Sequence, residues 1–106
     1  MSAAEASPAV LTPHGELDLH SSPVVKEQLE SLIDAQHRKV VVDLSGVSYI
    51  DSSGLAVFIE AMQRVVNYGG SFAICGLQEN VRHIFNIARL DQVFRIFPDQ
   101  ATAAGA

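Results

Sequence analysis

At 106 residues the chain is long enough for one hydrophobic core and too short for two. Its 48% hydrophobic and 18% charged residues are ordinary for a globular protein, while a formal net charge of −5 and the lack of a basic, aromatic-studded stripe leave nucleic-acid binding without electrostatic support. A single cysteine excludes an intramolecular disulfide and a cysteine-built metal cage.

The two ends differ from the middle. Residues 1–8 and 98–106 are small, polar and Ala-rich, which predicts frayed tails around a folded segment at 9–97. No basic stretch leads into an apolar h-region, and the apolar runs are far too short to span a bilayer. The expectation is a cytoplasmic chain with no membrane insertion. The acidity suits solubility, and also a protein partner with a basic patch.

In chain order, Val10-Leu11 and Gly15-Glu16-Leu17-Asp18-Leu19 read as a short strand pair or one broken strand. Pro13 lacks a ladder donor and puts this region at a sheet edge. Ser22-Pro23 offers a helix cap and a first-turn proline, followed by Val25, Leu29, Leu32 and Ile33 at helical spacing. Lys39 to Leu44, with three consecutive valines, predicts a buried parallel strand. A second helix is predicted to bury Leu55, Phe58, Ile59, Met62, Val65 and Val66 and to stop at Gly69-Gly70. Phe72 to Cys75 is the next strand, with Cys75 as a small buried hydrophobe. A third helix over about 78–88 and a last strand over 93–97, stopped by Pro98, complete the chain. Alternation of this kind predicts an α/β layer fold, with a mainly parallel mixed sheet of about four to five strands packed against three to four helices.

The chemistry concentrates in Asp51-Ser52-Ser53-Gly54, where a strand and turn hand over to a helix N-terminus. Outward N–H groups and the helix dipole favour anions there. A nucleophile elbow needs small residues two before and two after its serine, whereas Asp51 and Leu55 flank Ser53, and Ile50 precedes Ser52 at that distance. His14, His20, His37 and His83 are scattered over tails, caps and helix faces, poorly placed as catalytic bases. Gly69-Gly70 has no lysine beside it, as a phosphate-binding loop requires. Asp18, Asp43 and Asp51 match no metal-ligand spacing, and no lysine stands at a late strand end to serve an aspartyl-phosphate receiver. Neither a metal nor a cofactor is called for. Capping and regulated phosphorylation both remain open for the serines. Capping is common, and a phosphoserine would add nearly two negative charges beside Asp51.

Gly15-Glu16-Leu17-Asp18, together with Val42 through Leu55 (V-D-L-S-G-V-S-Y-I-D-S-S-G-L), resembles the anti-sigma factor antagonist branch of the STAS domains (sulfate transporter and anti-sigma factor antagonist). Gly69-Gly70 before a strand and Leu90-Asp91-Gln92-Val93-Phe94 extend the resemblance to about 9–97. One departure is the break at Thr12-Pro13-His14, where the family commonly has a longer first strand. The resemblance implies that Ser53 is phosphorylated by a partner that is both anti-sigma factor and ATP-dependent serine kinase. It implies that the unphosphorylated form binds that partner and frees the sigma factor, and that a PP2C-type phosphatase reverses the mark. Asp18, Asp51, Ser52, Ser53, Gly54 and Leu55 are then the partner-binding residues, and the chain is a substrate and binding module with no catalytic residue of its own. The second function the resemblance admits is a regulatory STAS subunit of a transporter or a stressosome-like complex. Retention of Ser53 argues against the transporter kind.

Overall fold

The structure, a computed structural model, describes residues 8–106, so most of the expected N-terminal tail lies outside the described residues. Strands and helices alternate as β1 (Ala9–Leu11), β2 (Gly15–Leu17), α1 (Ser22–Asp34), β3 (Lys39–Asp43), β4 (Val47–Ile50), α2 (Ser52–Asn67), β5 (Ser71–Cys75) and α3 (Glu79–Ile87). A 3-10 turn (Leu90–Gln92), β6 (Arg95–Phe97) and α4 (Gln100–Gly105) follow. The fold is α/β, as the alternation predicts. Among the described residues, no helix is long and apolar enough to cross a membrane.

The strands divide between two sheets. One has the order β1-β3-β5-β6, the other is the pair β2-β4, and every ladder is parallel. The Thr12-Pro13-His14 break is the crossing from one sheet to the other, so β1 is an edge strand and β2 belongs elsewhere. The run of valines in β3 has a simple cause. Side chains alternate faces along a strand, and Val40 and Val42 enter the main core with Phe72 and Ile74 of β5. Val41, Ala73 and Cys75 point the other way, into a small cluster with Ala103 of α4. Both faces are covered, which is why the segment is apolar throughout.

The main core is closed by α1 (Val25, Leu29, Ile33), α2 (Phe58, Ala61, Val65) and α3 (Val81, Phe85), with Phe94 edge-on to Phe85 at 5.8 Å between ring centroids. Arg64 of α2 reaches Glu30 and Asp34 of α1 at 3.9 and 3.7 Å across the outer seam. Helix α2 stops where expected: Gly69 takes a left-handed φ of +89°, a conformation that costs glycine little.

Several boundaries differ from expectation. Residues 98–106, expected as a tail, contain α4, because Asp99 caps it by accepting from the Thr102 N–H at 2.8 Å and Ala103 docks on the sheet. Ser22 is the buried first residue of α1 rather than its cap, a position held by Ser21. Ala61, not Val66, completes the buried stripe of α2, and Val66 is 58% exposed. The last strand begins at Arg95 because the 3-10 turn uses up the preceding residues.

Candidate functional site

The Asp51–Leu55 turn follows β4, a strand hidden in the sequence among serine and tyrosine, rather than β3. Only Val47 and Ile50 of β4 are buried; Ser48 and Tyr49 face outward. At the end of β4 the backbone stays extended through Asp51 (φ −109°, ψ −173°), and the chain then turns into α2. Asp51 Oδ1 accepts from the N–H groups of Ser53 (2.8 Å) and Gly54 (3.2 Å), satisfying two donors the helix leaves without partners. Its side chain is thus turned back onto its own helix. Ser52 is exposed, Ser53 and Leu55 are half-buried, and Gly54 is buried.

Gly54 is small for a reason the structure makes plain. A Cβ there would lie 2.8 Å from Ile50 Cγ1 and 3.1 Å from both the Cβ and the carbonyl oxygen of Leu17. The close neighbours are therefore the last residues of both paired strands, Ile50 of β4 and Leu17 of β2. That same Leu17 carbonyl accepts the Asp51 N–H at 3.0 Å. Two segments far apart in sequence are tied at the carboxyl ends of paired parallel strands, the end where α/β sheets usually carry function.

Asp18, next after Leu17, is organised as tightly. Its Oδ1 accepts from the N–H of His20 (2.9 Å) and of Ser21 (3.0 Å), and the Ser21 hydroxyl lies 3.3 Å away. Ser21 in turn receives the Asp18 N–H at 2.9 Å and donates to the Glu16 carbonyl at 2.6 Å. The backbone N–H of Ser21 is the main influence holding the Asp18 carboxyl below its ordinary pKa, with that of His20 second. Ser21 escaped the sequence reading; its signal was the D-x-x-S spacing, which suits a side-chain-closed turn. The turn also presents Leu19 to solvent at 70% exposure, between Asp18 and His20.

The structure thus gathers Asp18 and residues 51–55 at one end of the two-stranded sheet. Asp43 belongs elsewhere. It accepts from the Ser45 N–H at 2.9 Å and from the Gln100 amide at 2.6 Å. Burial pushes its pKa up, but these hydrogen bonds outweigh burial and leave it below the ordinary value. Asp18, Asp43 and Asp51 each close a separate turn, and among the described residues no group of three or more His, Cys, Asp or Glu side chains could hold a metal ion. Burial drives the Cys75 thiol up to about 11, aided by Asp43 and Asp99, so it sits inert at the end of β5 as a small hydrophobe. Beside β4, the Asn80 amide of α3 donates to the Ser48 carbonyl, and the Gln78 amide, just ahead of α3, donates to that of Ser45.

The family model described as "STAS domain" matches residues 2–103. An anti-sigma-B factor antagonist of Bacillus subtilis is 37% identical over 82 residues, covering 77% of this chain and 74% of the relative. An anti-sigma F factor antagonist of Paenibacillus polymyxa is 29% identical over 90 residues, covering 84% of this chain and 77% of the relative. The solved structure of an anti-sigma factor antagonist from Mycobacterium paratuberculosis superposes with a TM-score of 0.84 at 22% identity, over 92% of this chain and 82% of that one, a likeness of fold.

Proposed function

We propose that this chain, which belongs to the STAS domain family, acts as an anti-sigma factor antagonist governed by phosphorylation of Ser53. The observation that carries this reading is the pair of hydroxyls at the start of α2, tied to the Asp18 turn through the Leu17–Asp51 hydrogen bond. The 37% identity to an anti-sigma-B factor antagonist supports the partner class. In this reading Asp18, Asp51, Ser52, Ser53, Gly54 and Leu55 form the docking surface for an anti-sigma factor that is also the serine kinase. ATP belongs to that kinase, and this chain supplies the acceptor hydroxyl. A phosphoryl group on Ser53 adds nearly two negative charges beside the Asp51 carboxylate. The helix dipole tolerates them, while a partner surface matched to a neutral hydroxyl is repelled and desolvated at a cost. A PP2C-type phosphatase then restores the binding form.

Incubation with the cognate kinase and ATP is expected to add one phosphate, located at Ser53 by fragmentation of the intact protein. Labelling at another residue, or none, refutes the assignment. Ser53→Ala is expected to retain the anti-sigma factor in a pull-down and Ser53→Asp to lose it; equal capture by both removes the electrostatic switch.

A further inference from the structure

The second face of the four-stranded sheet is covered in a different manner from the first. The main core is closed by three helices carrying large side chains, whereas Val41, Ala73 and Cys75 are covered by α4, six residues long, whose one buried side chain is Ala103. A helix this short is far below the length at which helices persist unaided, so its order comes from its attachments. These sit at its two ends. At its start the Gln100 amide donates to Asp43 Oδ2 at 2.6 Å. At its end Lys39 Nζ donates to main-chain oxygens of Ala104 (2.8 Å) and Ala106 (2.6 Å), placing a cation where the helix dipole is negative.

We infer that α4 is a lid latched by Lys39 and Gln100, which opens on its own to uncover Val41, Ala73 and Cys75 while the rest of the domain stays folded. Opening breaks a few polar ties and one methyl-sized contact, and leaves the main core untouched. Segments with so few buried contacts are those that open locally rather than with global unfolding. The uncovered strip is narrow, apolar and continuous with Phe97 of β6. The closed lid keeps it from solvent.

Cys75 is the chain's only cysteine, so its thiol reports this face without ambiguity. The test is the rate at which an aromatic disulfide reagent labels Cys75 in the intact chain, measured over a range of urea below the unfolding transition. Wild type is expected to label faster than global unfolding allows, with a rate that barely depends on urea. Lys39→Met is expected to raise the rate by about tenfold or more while Lys39→Arg stays near wild type, because loss of two charge-assisted hydrogen bonds favours the open lid. Gln100→Ala, which removes the other tether, is read in the same way if Lys39→Met does not fold. A wild-type rate equal to that set by global unfolding at every urea concentration overturns the proposal. So does a rate that neither latch substitution changes.

Discussion

Gly54→Ala provides the sharpest test of how the site is built. Ala is the better helix former, and in an open helix the exchange gains up to about 1 kcal/mol. Here the new methyl would stand 2.8 Å from Ile50 Cγ1 and 3.1 Å from the Leu17 carbonyl oxygen. Neither neighbour can give way easily. Ile50 is 1% exposed in the core, and the Leu17 carbonyl is pinned by the Asp51 N–H at 3.0 Å. Overpacking of this kind costs about 1–3 kcal/mol, and with both neighbours held the upper part of that range applies, so after the propensity gain of up to about 1 kcal/mol a net loss approaching about 2 kcal/mol is expected. In a domain of this size that lowers Tm by up to roughly 10 °C. Urea and thermal unfolding followed by circular dichroism would measure it. Gly105→Ala is the control, since a Cβ there meets nothing within 4 Å, and it should be neutral or slightly stabilising. Equal stability of Gly54→Ala and wild type would refute the claim that α2 is seated on β2 through this glycine.

Asp51→Ala should cost about 1 kcal/mol, because it strips the acceptor from the Ser53 and Gly54 N–H groups, while Asp51→Asn should lose less; chemical denaturation distinguishes the two. Phe58→Ala should cost about 3–5 kcal/mol and Val66→Glu less than about 0.5, reversing any expectation that both line the same buried stripe. Asp18, Asp43 and Asp99 all have carboxyls held below their ordinary pKa. The stability they contribute is therefore fully present above the unfolded-state value, about 4, and is lost as pH falls through the lower folded-state values. The urea midpoint should drop on going from neutral pH to about pH 3, and Asp18→Asn, which removes one of these carboxylates, should reduce that drop; an unchanged midpoint in acid contradicts the hydrogen bonds assigned to these groups.

Much of the fold was legible because it is written in periodicity. Val25, Leu29 and Ile33 repeat at helical spacing, the β3 valines announce a strand covered on both faces, and Gly69 marks the end of α2. The misses have specific causes. Strand β4 alternates only weakly, since Ser48 and Tyr49 occupy its outer positions, and its pairing with β2 is a long-range event that no local pattern reveals. Helix α4 is composed of Ala, Thr, Gln and Gly, a composition that also describes a loose tail, and tertiary docking decides the matter. At the site, the sequence leaves capping open to the serines whereas it falls to Asp51 instead, and the reason for Gly54 lies in Ile50 and in Leu17, the latter a residue the sequence does not connect with it.

The pairing of β2 with β4 also bears on when the site exists. Its two halves lie on either side of α1 and β3, and the Leu17–Asp51 hydrogen bond joins them only once that long loop has closed. Contacts so distant along the chain are slow to form and are won only when much of the domain has condensed. A peptide spanning the serines carries the hydroxyls without the Asp18 turn or the anchored helix start. On the proposed phosphorylation of Ser53, a kinase that docks on the assembled surface would therefore read the folded state itself.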